Sequence, residues 1–242
     1  MRVVSLVPSL TEAVAATVPD VLVGCTDWCT HPDDLDARGV RRVRGTKNPD
    51  VDAVVALRPD LVVANEEENR EPDLDALRAA GVEVLVTDVR TVPQALTELE
   101  RVLLACGASR PTWLDDAETA WAAAEPVADR PLRAVVPIWR KPWMALGRDT
   151  FAGDVLGRLG VDHVLAADAE RYPRFDPDRL PPLDLVVLPD EPYAFTDADG
   201  PEAFPGVPAA LVDGRSLTWY GPAMVEAPRR LRTALRSALE HA

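Results

Sequence analysis

The segment VVALRPDLVVA, residues 54–64, decides the fold class of this 242-residue chain. Its first half has helical character and stops at Arg58-Pro59, since a proline disfavours helical geometry at the residue before it. Its second half, 61–64, is apolar at every position, as a strand covered on both faces of a sheet requires. A helix that leads through a short turn into a doubly buried strand is the repeating step of a parallel α/β sheet.

The same alternation extends in both directions along the chain. Ser9 lies three residues before Glu12, which is the spacing of a capping box and predicts a helix that starts at Ser9. Up to residue 108 we predict strands at 3–7, 21–25, 61–64 and 82–86, and further helices at 50–57, 72–80 and 92–106. From residue 129 we predict strands at 132–138, 183–188 and 209–212, and helices at 150–159 and 223–241. The chain is therefore α/β, with two lobes whose sheets are of the parallel type.

A different stretch, 111–125, separates the two patterns. Its second half is rich in alanine, the strongest helix former, and Pro111 suits a first helical turn. Pro126 and Pro131 close it, so we predict one long joining helix of roughly four turns. The predicted domains are an N-terminal α/β lobe, a connecting helix and a C-terminal α/β lobe, at 1–108, 109–128 and 129–242.

The composition excludes several classes of protein. With 40 acidic and 26 basic residues, the net charge of −14 argues against nucleic-acid binding and docking on anionic membranes. Three cysteines exclude a disulfide-rich scaffold. No apolar run approaches the ~20 residues of a membrane span, and the first run, broken by Ser5 and ended by Pro8, is typical of a strand. We expect a cytoplasmic protein as the sequence stands, or an extracytoplasmic one if an export signal has been removed.

The aromatic residues are unevenly distributed. Trp28 is the only one in residues 1–111, whereas most others lie in connections of the second half. Flat rings on loops at the ends of strands suit a large, partly apolar ligand, although ordinary loop packing is the alternative. The acidic run 66–71 also follows a strand, where it would contact a ligand or be a solvated loop. The predicted ligand-binding residues are Trp28, Glu67, Glu68, Trp139, Trp143, Arg148, Tyr172, Arg174, Trp219 and Tyr220.

Three residues that lie close together in the sequence are of types that commonly bind metal ions. Cys25, Cys29 and His31 offer thiolate and imidazole, but their spacing is not that of a zinc finger, and a buried cysteine with incidental loop residues is the favoured interpretation. His163 and His241 are expected to be structural or exposed. No nucleophile elbow, phosphate-binding loop or dinucleotide motif is present. We therefore predict a non-enzymatic protein with no resident metal or cofactor.

Three segments carry a family resemblance. Residues 3–12, residues 54–62 and the pair Asn69 and Glu71, in this order, resemble the class III substrate-binding proteins of ABC importers, the helical-backbone metal receptor group. The cobalamin-binding branch is the most similar. The resemblance implies two α/β lobes joined by one long helix, with limited hinge motion and one ligand in the cleft between the lobes.

The resemblance also implies roles for individual residues. Trp28, Tyr172 and Trp219 match cleft aromatics, and Glu71 and Glu202 match surface carboxylates that dock on ABC permease subunits. The implied ligand is a corrinoid or another metal chelate. Thr218 and Pro222 depart from the cobalamin-binding pattern, and the predicted joining helix is shorter than usual. The alternative is a cytosolic metal- or chelate-handling protein or enzyme on the same scaffold, without a transporter partner.

Overall fold

The structure, a computed structural model, describes residues 1–240. These residues form two compact units, which we call unit 1 and unit 2. Unit 1 contains Met1–Val89, Pro93–Asp116 and Tyr220–Pro222. Unit 2 contains Arg90–Val92, Ala117–Trp219 and the chain from Ala223 onward.

Unit 1 is built on a five-stranded parallel sheet with the strand order β3-β2-β1-β6-β7. A small antiparallel hairpin, β4–β5, lies beside it in the sequence. The strands are β1 (Val3–Ser5), β2 (Leu22–Cys25), β3 (Arg41–Arg42), β4 (Arg44–Gly45), β5 (Asn48–Pro49), β6 (Leu61–Asn65) and β7 (Glu83–Thr87). The helices in this part of the chain are α1 (Pro8–Thr17), α2 (Val51–Ala56), α3 (Glu71–Ala79) and α4 (Val92–Ala105).

The central strands of the unit 1 sheet are buried on both faces. Every residue of β1 and of β6 is buried, and Val4 pairs with Val62 in parallel register. Leu74 and Leu77 of α3 pack in the same core as these valines. Because all five strands run in one direction, the loops that follow them meet at the same edge of the sheet, which we call the carboxyl edge of unit 1.

The predicted capping box at Ser9 is wrong. Helix α1 begins at Pro8, its N-cap is Val7, and no side chain caps it. Proline lacks a backbone N–H and has its φ angle already fixed, so it suits the first turn, where that N–H would have no helical partner. Ser9 and Glu12 consequently lie inside the helix, and both are buried.

Unit 2 contains a four-stranded parallel sheet with the strand order β11-β8-β12-β13. A separate antiparallel pair joins β9 and β10. The strands are β8 (Leu132–Val135), β9 (Pro137–Trp139), β10 (Met144–Ala145), β11 (Val161–His163), β12 (Leu185–Pro189) and β13 (Ala209–Val212). The helices from residue 112 onward are α5 (Thr112–Ala122), α6 (Phe151–Arg158), α7 (Gly214–Thr218) and α8 (Ala227–Glu240).

The two parallel sheets confirm the predicted α/β class, with differences in detail. The strand predicted at 132–138 is divided between β8 and β9, because Pro137 has no N–H for the parallel ladder and the chain leaves the sheet there. The helix predicted to join the lobes, α5, is 11 residues long and ends at Ala122, where a tighter turn from Ala124 N–H to Trp121 O closes it (3.3 Å). Its length is therefore nearer three turns than four.

The C-terminal helix also begins later than predicted. A 3₁₀ turn at Pro222–Val225 precedes α8, and His241 lies outside the described residues. Among the helices of residues 1–240, none has both the length and the apolar character that crossing a bilayer would demand.

Candidate functional site

Trp28 lies at the carboxyl edge of unit 1, in a tight turn after β2. The turn is closed by a hydrogen bond from Cys29 N–H to Thr26 O (3.2 Å), and the side chain of Trp28 is 67% exposed. Gly45 of the β4–β5 hairpin lies against the indole. A Cβ at Gly45 would come within 3.3 Å of the Trp28 Nε1 and 2.5 Å of the Asn48 Oδ1, so a larger residue would displace the Asn48 amide and press on the indole. The result is a large, flat, open ring face on a well-positioned turn.

The amide of Asn65 shapes the acidic loop that follows β6. Its Oδ1 accepts hydrogen bonds from the backbone N–H groups of Glu67 (2.9 Å) and Glu68 (3.2 Å). Its Nδ2 donates to Thr87 O (3.0 Å) at the end of β7. Because Asn65 is buried, these bonds are made away from water, and they determine the conformation of the loop.

A second buried amide, Asn69, connects the same loop to the neighbouring elements. Its Nδ2 donates to Leu6 O (3.2 Å) after β1 and to Thr46 O (2.9 Å) in the β4–β5 hairpin. Its Oδ1 accepts from Asn65 N–H (2.9 Å). The Asn69 side chain therefore joins three segments of the carboxyl edge of unit 1.

Glu68 is a half-buried carboxyl group with a perturbed pKa. Burial raises its pKa, and the charge of Lys47 and a hydrogen bond from the Thr46 hydroxyl oppose that shift. The Lys47 ammonium donates to the backbone oxygen of Glu67. The sequence prediction missed Lys47, although lysine is rare enough in this chain to be a signal, since Lys47 and Lys141 are the only two.

Tyr220 is fully buried in unit 1. Its pKa is raised, first by burial and then by the charge of Glu68. Tyr220 and Glu68, both predicted to bind the ligand, therefore lie near each other in the structure. Little of the Tyr220 ring is open to a ligand in this conformation.

In unit 2, most predicted ligand residues belong to one region. Met144 of β10 pairs with Trp139 of β9, and the loop 170–175 lies along the other side of β10. Backbone bonds hold that loop in place, including Gly147 N–H to Arg171 O (2.7 Å). A Cβ at Gly147 would come within 2.2 Å of Glu170 O, so glycine is required there. The residues brought together by these contacts are Trp139, Trp143, Arg148, Tyr172 and Arg174.

The rings of this region differ in exposure. Trp143 stacks on Phe195 with a centroid distance of 5.9 Å and packs edge-to-face on Phe204 at 5.7 Å. Trp143 therefore contributes to the core of unit 2. Trp139 keeps 44% of its surface exposed and packs edge-on against Tyr193 at 5.7 Å.

Trp219, at the end of α7, has only 9% of its surface exposed. The guanidinium of Arg215 lies 5.7 Å from its ring centroid, and Glu191 accepts a hydrogen bond from its side chain. Of the three rings predicted to line the ligand site, Trp28 is open, Tyr172 is half-buried and Trp219 is interior. The burial of Trp219 departs from the expectation of three open rings.

The predicted docking residues and the two predicted ligand-binding arginines lie on the surface. Glu71 is the first residue of α3 and pairs with Arg78 at 2.6 Å. Glu202 pairs with Arg140 at 2.5 Å, and its carboxylate accepts from Gly200 N–H at 2.6 Å. Arg148 and Arg174 are both exposed.

Cys25, Cys29 and His31 do not form a metal centre in the structure. The His31 ring nitrogen Nδ1 lies 3.1 Å from the hydroxyl of its neighbour Thr30. Within residues 1–240, no group of three or more histidine, cysteine, aspartate or glutamate side chains could hold a metal ion. The two thiols do lie together, as described below.

The chain belongs to the periplasmic binding protein family, whose model matches residues 3–181. It is 27% identical over 192 residues to the vitamin B12-binding protein of Yersinia pseudotuberculosis serotype O:3 (strain YPIII), a match that covers 74% of this chain and 65% of that relative. The chain therefore spans slightly less than two thirds of the length of this curated relative.

Two solved structures have the same fold. The periplasmic vitamin B12 binding protein BtuF of Vibrio cholerae has a TM-score of 0.77 and 20% identity, covering 98% of this chain and 97% of its own. The periplasmic heme-binding protein RhuT from Roseiflexus sp. RS-1, in its apo form, has a TM-score of 0.81 and 19% identity, covering 98% of both chains. The resemblance inferred from the three sequence segments is thus confirmed at the level of the family and the fold.

Proposed function

We propose that the chain is the substrate-binding component of an ABC-type uptake system, and that its ligand is a corrinoid or a related metal chelate. The observation that carries this proposal is the indole of Trp28, 67% exposed at the carboxyl edge of a parallel sheet. Loops at this edge are where open α/β sheets bind ligands. An exposed ring face is suited to stacking on a flat macrocycle.

The charges around Trp28 favour a corrinoid over a heme. The acidic loop of unit 1 carries Glu66, Glu67 and Glu68, and the β4–β5 hairpin carries two cations, Lys47 beside Glu68 and Arg44, whose backbone oxygen accepts from Asp27 N–H. Carboxylates accept hydrogen bonds from the amide side chains of a corrinoid, whereas they repel the propionates of a heme. In unit 2 we propose that Trp139 supplies a second exposed ring, with Arg148, Tyr172 and Arg174 as further contacts. That the ligand occupies a cleft between two lobes stays a prediction, as do the ligand roles of Trp143, Trp219 and Tyr220.

Calorimetric and absorbance titrations test the ligand. Cyanocobalamin, cobinamide, hemin and a ferric siderophore are each added to the purified chain, and the corrinoids are expected to bind more tightly than hemin. The absence of both heat and a spectral change with all four compounds would contradict the proposal.

The variant Trp28→Ala tests the site. We expect about tenfold weaker corrinoid binding, because one large apolar contact is lost, and an unchanged free energy of unfolding, because the ring is exposed. Leu104→Ala is the matched control, since Leu104 is also an exposed apolar side chain (56%) but lies on α4. Equal affinities of the two variants would exclude Trp28 from the site.

We further propose that the chain binds its ligand without chemical change, and that ABC permease subunits are its partner. Mass spectrometry of the released ligand is expected to show the added compound unaltered. Charge reversal at the two proposed docking residues, Glu71→Lys with Glu202→Lys, is expected to weaken capture of the permease and leave ligand affinity unchanged. Stoichiometric zinc or iron that is lost in Cys29→Ser would instead favour a metal-handling protein.

A further inference from the structure

Two cysteines of unit 1 lie at opposite ends of the turn that carries Trp28. Cys25 is the last residue of β2, and Cys29 follows the turn. Both thiols are fully buried, and one nitrogen of Arg42, Nη1, lies 3.4 Å from the Cys25 sulfur and donates to the Cys29 backbone oxygen (2.8 Å). Between them, the side chain of Trp28 points to solvent.

The surroundings of the two thiols differ. Hydroxyl oxygens of Thr11 and Thr26 each lie 3.1 Å from the sulfur of Cys29. Burial opposes ionisation of Cys29, but its interactions with Cys25, Thr11 and Thr26 outweigh burial and lower its pKa to about 7. The interaction with Cys29 and burial raise the pKa of Cys25, although the Arg42 guanidinium lies 3.4 Å from its sulfur. The pair therefore has one sulfur ready to ionise and one that holds its proton.

We propose that Cys25 and Cys29 are an oxidisable pair that forms a disulfide across the Trp28 turn. The oxidant is a small-molecule disulfide, RSSR. The Cys29 thiolate attacks one of its sulfurs, so that a Cys29–S–S–R bond forms and RS⁻ leaves. Cys25 then loses its proton and attacks the Cys29 Sγ, and the second RS⁻ leaves. Two cysteine thiols are oxidised, one external disulfide is reduced to two thiols, and these take up the two protons.

The geometry favours formation of the Cys25–Cys29 disulfide. The closed turn and the shared Arg42 contact hold the two cysteines near each other, as an S–S bond of about 2.05 Å requires. Because both thiols are buried, the first step follows a local opening of the exposed turn. The disulfide then restricts that opening and constrains the backbone that presents Trp28. This inference holds whether or not the chain binds a metal chelate.

Redox titration of the full chain tests the pair. The protein is equilibrated with mixtures of reduced and oxidised glutathione, quenched with acid, unfolded and alkylated, and the alkylated cysteines are located by mass spectrometry. The three free cysteines are expected to fall to one, Cys106, as the mixture becomes oxidising. A reductant is expected to restore all three.

Cys106→Ser is the matched control, because Cys106 is equally buried but lies after α4, and burial raises its pKa to about 11. In this variant the alkylated cysteines are expected to fall from two to none. The variants Cys25→Ser and Cys29→Ser are expected to form no internal disulfide. If a serine variant fails to fold, the wild-type alkylation pattern still decides.

Hydrogen exchange supplies a second readout without any ligand. Exchange of the backbone amides in residues 26–30 is expected to slow about tenfold on oxidation, as the opening of the turn becomes restricted. Three alkylated cysteines at every glutathione ratio, a disulfide that contains Cys106, or a glutathione adduct that never resolves would each overturn the proposal.

Discussion

Buried amide side chains hold the loops at the carboxyl edge of unit 1, whereas aromatic rings, together with backbone hydrogen bonds, hold the corresponding loops of unit 2. Asn65 and Asn69 make directional hydrogen bonds to four neighbouring segments in unit 1. In unit 2, Trp143 packs among Phe175, Phe195 and Phe204. Residues 1–111 contain a single aromatic, the exposed Trp28, so the loops of this stretch contribute no ring cluster of their own. One architecture therefore positions its loops by two different physical means.

The largest expected effect is on the aromatic region. Trp143→Ala removes a half-buried indole that three rings and the Arg140 guanidinium contact, and we expect a loss of about 3 kcal/mol in the free energy of unfolding. Urea denaturation followed by near-ultraviolet circular dichroism measures it. Trp143→Phe is the matched control and is expected to recover most of the loss. A loss below about 1 kcal/mol for the alanine variant would mean that the ring cluster does not hold the loops.

Disruption of the amide network of unit 1 is expected to lower the free energy of unfolding slightly less than Trp143→Ala does. Asn69→Ala leaves the Leu6 and Thr46 carbonyl groups and the Asn65 N–H without their side-chain partner, which costs about 2–3 kcal/mol of unfolding free energy. The exposed Asn48 provides the control, since Asn48→Ala is expected to change stability by less than about 0.5 kcal/mol. Equal effects of the two substitutions would show that the side-chain hydrogen bonds of Asn69 do not stabilise these loops.

One carboxyl group in each unit should make stability respond to pH in opposite directions, beginning with Glu68 of unit 1. Burial raises its pKa in the folded protein above the ordinary value. Its contribution to stability is therefore fully present below the unfolded-state pKa of about 4.3 and is lost as pH rises through the folded value. Glu68→Gln, which keeps an acceptor for Thr46, is expected to flatten this fall in urea titrations between about pH 4 and 7. An unchanged pH profile would contradict the prediction.

The smallest expected effect concerns Asp184 in unit 2. Hydrogen bonds from Arg130 and from Arg133 N–H lower the pKa of Asp184 from 3.8 to about 2. Its contribution is present above the unfolded-state pKa and is lost as pH falls through the folded value. Asp184→Asn is expected to remove this acid-side loss of stability between about pH 4 and 2, with a modest size because the pair is partly exposed. A profile in that window identical to the wild type would show that the ion pair contributes nothing.

Local patterns were sufficient for most of the fold. The strand at 61–64 and the turn at Pro59 appear as predicted, and β13 has the predicted limits. The errors fall where two local signals compete. Pro8 and Ser9 both suit a helix start, and proline has the earlier position. Pro137 divides a run of apolar residues that otherwise has the composition of one strand.

The candidate site was predictable in part. Trp28 stood out because it is isolated in an aliphatic lobe and lies on a loop, and the structure leaves it exposed. The burial of Trp219 and Tyr220 was not predictable, since a ring on a loop can face either solvent or the interior. Lys47 was missed because its contact with the Glu67 backbone joins two separate loops.

The amino-acid sequence by itself determined the α/β class and the family, because hydrophobic periodicity and proline positions act over a few neighbouring residues. Only the tertiary structure decided which side chains meet at each carboxyl edge. Asn69 reaches Leu6 across 63 positions of the chain, and Cys29 meets Thr11 across 18. Such contacts depend on strand order, and strand order is a property of the whole sheet.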